Sequence, residues 1–210
     1  KIIFMSTCSV YGFSEGTIDE NGFKNPLSLY AKSKIMTEEE LKDHDDKCIF
    51  RLGTLYGVGD SYSRIRLDLV VNILTMKAAL GEKLQVFGGD QWRPLLHVRD
   101  VGEAIVFAIK NDLRGTYNIS DQNYKIVEIA NEIKRNFINK NVDIKIENNF
   151  FEDKRNYRVS SEKFKSLGWR PKYSLKNGID EIKELIYEKR IKNLDDKIYS
   201  NASFTSDFFK

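Results

Sequence analysis

The stretch that decides the fold begins with residues 1–12, KIIFMSTCSVYG, and ends with residues 30–34, YAKSK. The four apolar residues 2–5 are bounded by small polar residues, a pattern that predicts a buried strand of a parallel sheet. Ligands of open α/β sheets bind just beyond the carboxyl ends of such strands, which is where Thr7 stands. The opening stretch therefore predicts an α/β fold with a ligand site beside Thr7.

A helix is predicted over residues 25–41, where Tyr30 and Lys34 form an i, i+4 pair on one face. The unperturbed pKa of a phenol is about 10, and an ammonium one turn away favours the charged phenolate. The Thr7 hydroxyl could bond the same substrate oxygen, which makes a proton relay suited to oxidising an alcohol or reducing a ketone. Tyr-x-x-x-Lys alone arises often by chance on surface helices. Its place after this strand makes Thr7, Tyr30 and Lys34 the candidate catalytic residues.

The order of these motifs resembles one family. A strand ending in Ser-Thr-x-x-Val-Tyr-Gly, followed by Pro-Leu-Ser-x-Tyr-x-x-x-Lys, resembles the extended short-chain dehydrogenase/reductase superfamily and, more narrowly, the NAD-dependent nucleotide-sugar epimerase/dehydratase family. The resemblance extends to about Glu188. It implies a partial Rossmann fold, that is, a doubly wound parallel sheet holding NAD or possibly NADP. It also implies a smaller α/β domain that binds a nucleoside-diphosphate sugar.

The resemblance further implies two domains that exchange segments. Residues 1–58, joined by 95–120, would form the C-terminal part of the Rossmann domain, and residues 59–94 with 121–190 the sugar-nucleotide domain. Residues 191–210 form a tail whose aromatic side chains indicate docking on this or another subunit: Tyr199, Phe204, Phe208 and Phe209. A homodimer formed through the Tyr30 helix is expected by analogy with the family.

Ligand-binding residues follow from the same resemblance. The cofactor would contact Ser6, Tyr30, Lys34 and Leu52, and the substrate would contact Thr7, Thr54, Asn72, Phe87, Arg93 and Arg155. Many relatives carry an asparagine where Thr54 stands, and threonine keeps a hydroxyl but loses the amide. Phe87 would lie along the nucleotide base. Arg93 would clamp the diphosphate, because a guanidinium is planar, permanently charged and matches phosphate oxygens bidentately.

Several of these residues also have a purely structural interpretation. Arg66 precedes Asn72 by six residues and could contact the sugar or a phosphate, but Asn72 and Arg66 could each instead be a plain helix-start residue. Arg155 could instead belong to a surface salt bridge. Arg51 is interpreted as a structural ion-pair partner. His97, between Leu96 and Val98, is interpreted as a hydrogen-bonded core histidine.

Composition narrows the function classes. The chain has 210 residues, 41% of them hydrophobic and 31% charged, which is ordinary for a globular protein. A net charge of +3 without a basic, aromatic-rich run argues against a nucleic-acid partner. No apolar run approaches membrane length, so no membrane association is expected. Two cysteines, Cys8 and Cys48, offer neither a metal cluster nor a disulfide framework, which fits a reduced cytoplasmic compartment.

One expected motif is missing from the sequence. No Gly-x-x-Gly-x-x-Gly loop is present to hold a dinucleotide pyrophosphate, although the family places this loop on its first strand. We therefore expect this chain to be the C-terminal part of a longer protein, lacking roughly the first third and binding NAD poorly by itself. The alternative is a diverged domain that never had the loop.

The residues after Thr7 bear on the reaction. Relatives that eliminate water carry Asp-Glu there, and decarboxylases carry Glu, whereas this chain has Cys8-Ser9. We interpret Cys8 as a small buried hydrophobe, with an unusual acid/base role as the alternative. The pattern favours an epimerase that oxidises the sugar and returns the hydride to the other face. A reductase of a nucleotide 4-keto-sugar and a non-catalytic dinucleotide-binding scaffold are the alternatives.

Overall fold

The computed structural model describes residues 1–60, 62–147 and 155–201. The strands are β1 Ile2–Thr7, β2 Phe13–Ile18, β3 Lys47–Leu52, β4 Thr54–Tyr56, β5 Leu84–Phe87, β6 Trp92–His97, β7 Gly115–Ile119, β8 Asn123–Lys125, β9 Ile144–Glu147 and β10 Asn156–Val159. The helices are α1 Leu29–Glu40, α2 Val70–Leu80, α3 Val98–Lys110, α4 Ile126–Arg135, α5 Glu162–Lys165 and α6 Leu175–Tyr187, with short 3-10 turns at Cys8–Tyr11 and Lys197–Tyr199.

The central sheet has the order β1-β3-β7, and its strands are parallel. In its register Thr7 lies opposite Leu52, and Leu52 lies opposite Ile119, so three strands end at one edge. The predicted α/β class with parallel strands alternating with helices is confirmed. Residues 2–5 are only partly buried rather than fully buried, because β1 pairs with β3 alone among the described residues.

The apolar run over residues 48–57 forms two strands that belong to different sheets. The break is at Gly53, whose N–H donates to the Ile119 carbonyl at 2.9 Å. A Cβ at Gly53 would lie 2.9 Å from the Pro94 carbonyl oxygen, so the chain approaches β6 too closely for a larger residue. After this break β4 pairs in parallel with β6, which pairs in turn with antiparallel β8.

Helix α1 begins at Leu29, later than the Asn25-Pro26 start that the sequence predicts. Ser28 is the reason, because its extended backbone and its side chain form the N-cap. The hydroxyl accepts the Ala31 N–H at 3.1 Å and satisfies one of the free donors of the first turn.

Two large hydrophobic clusters form most of the core. One joins the central sheet to α3 and α5 through Phe50, Leu96 and Phe164. The other joins β5 to α2, α4 and α6 through Leu84, Ile129 and Ile182. A smaller cluster packs Leu67 against Leu185, Ile191 and Tyr199, so the described part of the tail docks on its own chain. The other three aromatic residues of the tail lie outside the described residues: Phe204, Phe208 and Phe209. The division of the chain into two domains remains a prediction.

A buried ion pair ties α1 to the central sheet. Arg51 Nη2 on β3 donates to Glu38 Oε2 on α1 at 2.7 Å, and both side chains are about 5% exposed. Ser6 Oγ donates to Glu38 Oε1 at 2.5 Å. Arg51 Nη1 donates to the Tyr11 hydroxyl at 2.9 Å, and that hydroxyl donates to Asn118 Oδ1 at 2.8 Å. The prediction of a structural ion pair for Arg51 is confirmed.

The core interpretation of His97 is also confirmed. The ring is fully buried, stacks on Tyr173 with centroids 4.7 Å apart, and has Nε2 at 3.0 Å from Glu181 Oε2. Its Nδ1 accepts the Arg99 N–H, so the ring proton belongs on Nε2, which donates to Glu181. Glu181 also accepts the Val58 N–H at 2.9 Å, which joins α6 to the loop after β4.

Among the described residues no helix combines the length and the apolar composition that a membrane span requires.

Replacing Arg51 with methionine should lower the free energy of unfolding by about 3–5 kcal/mol, because the Glu38 carboxylate would remain buried without its partner. The double variant Arg51→Met/Glu38→Leu should recover part of this loss, since neither charge is then buried. Urea unfolding of both variants measures the difference. Equal losses in the single and double variants would contradict the prediction.

Replacing Gly57 with alanine should cost at least about 2 kcal/mol, since left-handed backbone alone costs roughly 1–2 kcal/mol for other residues. Gly57 has φ +86°, and a Cβ there would lie 2.1 Å from His97 Nε2. Gly16→Ala is the matched control, because nothing lies within 4 Å of its Cβ position. Thermal unfolding of the two variants should show a large loss only at Gly57.

Candidate active site

Two connected cavities lie beyond the carboxyl ends of β1, β3 and β4. The first has a volume of about 660 Å³ and the second about 470 Å³. Four residues line both cavities and mark the passage between them: Thr54, Arg66, Leu69 and Arg155. The two cavities therefore adjoin at these residues.

The structure brings most of the predicted site residues to these cavities. Ser6, Thr7, Tyr30 and Leu52 line the first cavity, Phe87 and Arg93 line the second, and Thr54 and Arg155 line both. Lys34 and Asn72 are not among the lining residues. The roles of these residues in binding and catalysis remain predictions, but their predicted proximity is observed for all except these two.

Thr7 and Tyr30 both line the first cavity, and the Thr7 hydroxyl is near enough to influence the Tyr30 phenol. Burial raises the pKa of the Tyr30 hydroxyl, and the Thr7 hydrogen bond and the positive charge of Arg66 offset only part of this rise. Thr7 Oγ1 also lies 2.9 Å from Ser9 Oγ. The phenol of Tyr30 is therefore protonated at neutral pH in this state, and further positive charge would be needed to make it a base.

Lys34 lies one helical turn after Tyr30 on α1. Its Nζ donates to the Met5 carbonyl of β1 at 2.8 Å and lies 5.7 Å from the centroid of the Tyr30 ring. An ammonium has three N–H donors, and this is the single hydrogen bond that the described residues give it. The lysine thus anchors α1 to the sheet and keeps two donors for a ligand.

Asn72 is fully buried near the amino-terminal end of α2. Its Oδ1 accepts the Gly57 N–H at 2.9 Å, and its Nδ2 donates to the carbonyls of Arg66 at 2.8 Å and Gly57 at 3.2 Å. A contact with substrate would break these bonds. In this structure Asn72 fixes two pieces of cavity wall instead of reaching the cavity.

Arg93 and Phe87 occupy different parts of the second cavity. Arg93 is 6% exposed, and its guanidinium donates to the Trp92 carbonyl at 2.8 Å and to the Arg155 carbonyl. Its guanidinium carbon also lies 5.9 Å from the centroid of the Tyr157 ring. Phe87, at the end of β5, is half exposed and offers a flat apolar face. The second cavity thus presents a buried cationic side chain and a half-exposed aromatic one.

The two residues after Thr7 differ in exposure to the first cavity. Cys8 is completely buried, and its Sγ donates to the Arg51 carbonyl at 3.1 Å. Burial raises the pKa of this thiol far above its ordinary value. Ser9 lines the cavity with a neutral hydroxyl. The prediction of Cys8 as a small buried hydrophobe is confirmed.

Tyr157 and Asn201 are among the lining residues that the sequence did not predict. Tyr157 faces the first cavity from β10, and Asn201 reaches it from the tail. The parallel pairing of β10 with β2 brings Tyr157 close, and only this long-range contact reveals it. Nothing in the local sequence around Asn201 indicates that the tail returns to the site. In the described part of the chain, no group of three or more His, Cys, Asp or Glu side chains is arranged to hold a metal ion.

Known proteins resemble this chain along most of its length. It is 30% identical to human dTDP-D-glucose 4,6-dehydratase over 194 residues, which are 85% of this chain and 54% of the relative. It is 30% identical to UDP-glucuronic acid decarboxylase 6 of Arabidopsis thaliana over 200 residues, which are 88% of this chain and 57% of the relative. The chain therefore spans little more than half the length of these curated relatives.

A solved structure agrees with these relatives. The UDP-glucuronic acid 4-epimerase of Bacillus cereus, in complex with UDP-glucuronic acid and NAD, superposes with a TM-score of 0.73 at 25% identity. The match covers 89% of this chain and 61% of that one. The family described as the NAD dependent epimerase/dehydratase family matches residues 1–120. More than half of the sequence thus carries the family's pattern, and the chain belongs to the NAD-dependent epimerase/dehydratase family.

Proposed function

We propose that the protein is a NAD-dependent epimerase of a nucleoside-diphosphate sugar that works through a transient keto-sugar. The observation that carries this proposal is the pair after Thr7. Cys8 is buried away from the cavity, and Ser9 offers only a neutral hydroxyl, at the two positions where an eliminating enzyme carries its acid and its base. Tyr30 and Thr7 remain at the cavity edge, which suffices for a reaction that moves one proton and one hydride.

The two cavities fit the two halves of such a substrate. The sugar would occupy the first cavity beside Tyr30, and the base would lie against Phe87 in the second. The diphosphate would then cross the passage that Thr54 and Arg155 line, with Arg93 beside it. Guanidinium groups suit this position because they bind phosphate oxygens with two parallel hydrogen bonds.

The chemistry of the cavity edge fits the nicotinamide end of NAD. Leu52 offers an apolar wall, and Lys34 keeps two donors that suit ribose hydroxyls. Ser6 lines the same cavity, although its hydroxyl already donates to Glu38. When bound, NAD would accept the hydride from the sugar carbon and return it. Its positive ring would also favour the Tyr30 phenolate.

In the forward step Tyr30, as phenolate, takes the proton from the sugar hydroxyl while Thr7 hydrogen-bonds the same oxygen. The sugar carbon becomes a ketone, turns its other face toward the site and is reduced there. Tyr30 then gives the proton back to the new alcohol. Lys34 holds α1, and with it the Tyr30 ring, at a fixed distance from β1.

The test is a panel of nucleotide sugars given to the intact protein, with absorbance at 340 nm and product sugars followed together. Interconversion of two sugars without net NADH is expected. Consumption of one NADPH for each keto-sugar would favour the reductase, and loss of water or of CO₂ would favour a dehydratase or decarboxylase. No turnover of any sugar would favour the non-catalytic scaffold. The predicted homodimer is checked by light scattering on the same sample.

Replacing Tyr30 with phenylalanine should lower kcat by about 10²–10⁴-fold, the usual contribution of a positioned acid/base group. The ring stays, so the melting temperature should change little. Tyr62→Phe is the matched control because Tyr62 is 99% exposed. Parent-like turnover by the Tyr30 variant would contradict its proposed role.

A further inference from the structure

Arg66 lines both cavities and has no part in the mechanism described above. Its side chain is 31% exposed. A ligand that extends from Tyr30 to Phe87 would run along the residues shared by the two cavities, and Arg66 is one of them. Its position alone therefore makes it a candidate for substrate contact.

The guanidinium of Arg66 is held along one edge by Asp68. Nε donates to Asp68 Oδ1 at 2.6 Å, and Nη2 donates to Asp68 Oδ2 at 3.0 Å. The main chain is held as well, because the Arg66 carbonyl accepts the Asn72 amide at 2.8 Å. Both ends of the residue are thus fixed before any ligand binds, which limits the entropy that binding would cost.

The tail completes this support from the other side. The Asn201 N–H donates to Asp68 Oδ2 at 2.9 Å, and the Leu67 N–H donates to the Tyr199 carbonyl at 2.9 Å. Arg64 Nη1 donates to the Ile198 carbonyl at 2.7 Å. The wall that carries Arg66 is therefore built jointly by the loop after β4 and by the end of the described chain.

The other edge of the guanidinium is available. Asp68 uses Nε and Nη2, and the described residues provide no hydrogen bond to Nη1. Partly exposed ion pairs add little to stability, so fold stability alone gives a weak reason for this arrangement. A fixed guanidinium with a free donor edge is instead suited to bind an oxyanion.

We propose that the Nη1 edge of Arg66 binds an anionic oxygen group of the substrate. This rests on the proposed function, in which a nucleoside-diphosphate sugar spans both cavities. Two groups have the required chemistry at this place: the phosphate next to the sugar, and a carboxylate carried by the sugar itself.

The test is isothermal titration of the intact protein and its Arg66→Gln variant with UDP-glucose, UDP-glucuronic acid, UDP and UMP. If the parent binds thymidine nucleotides more tightly than uridine nucleotides, the corresponding thymidine ligands are used instead. Arg66→Gln should weaken binding by roughly ten- to a hundredfold, as expected for losing a charge-assisted hydrogen bond. Arg66→Lys keeps the charge without the planar fork and should lose less.

The ligands distinguish the two sources of the oxyanion. If Arg66 binds the phosphate next to the sugar, Arg66→Gln should lose affinity for UDP and for both UDP-sugars by the same factor. Its affinity for UMP, which lacks that phosphate, should not change. If Arg66 binds a sugar carboxylate, Arg66→Gln should lose affinity for UDP-glucuronic acid alone. Parent-like affinity of Arg66→Gln for all four ligands would overturn the inference. An equal loss of affinity for UMP and for UDP would also overturn the inference, because such a loss would indicate a general disturbance of the site.

Controls separate this result from folding and from the proposed function. Arg135→Gln removes a 75% exposed arginine that is also paired with a carboxylate, Glu132, and should bind like the parent. Melting temperatures of all variants establish that each is folded. Failure of the parent to bind any nucleotide would overturn the proposed function and this inference together. If the parent binds a nucleotide and Arg66→Gln binds it with the same affinity, this inference alone is overturned.

Discussion

The buried pair of Glu38 and Arg51 is the interaction on which the site depends. Glu38 follows Lys34 by one helical turn and Tyr30 by two, so the three share one face of α1. Arg51 and Ser6 bind the Glu38 carboxylate, and Lys34 binds the Met5 carbonyl. These contacts set the rotation of α1 about its axis and its height above the sheet. That fixed rotation keeps the Tyr30 side chain at the edge of the cavity that Thr7 also lines.

The cavities exist because one segment leaves the central sheet. Strand β3 belongs to the sheet with β1 and β7, but β4 joins β6 immediately after Gly53. The walls therefore separate just beyond the strand ends, where open α/β sheets bind their ligands. Thr54 is the first residue past this point and consequently lies in both cavities.

Local patterns in the sequence were enough to predict the central strands, the i, i+4 pair of Tyr30 and Lys34, and the structural roles of Arg51, His97 and Cys8. The patterns failed where long-range contacts decide the outcome. The division of residues 48–57 depends on the close approach of Pro94, which no neighbour of Gly53 signals. Asn72 looks like a ligand residue in the sequence, yet the folded chain uses its whole amide for Gly57 and Arg66. Tyr157 and Asn201 reach the first cavity only through tertiary pairing.

The burial of both cysteines has a chemical consequence. Neither Cys8 nor Cys48 is exposed, and burial raises the pKa of the Cys48 thiol to about 11 and that of Cys8 further still. Oxidants and alkylating agents react with the thiolate, which is scarce at such pKa values. Oxidation or alkylation of Cys8 and Cys48 is therefore disfavoured while the described fold stays closed around them.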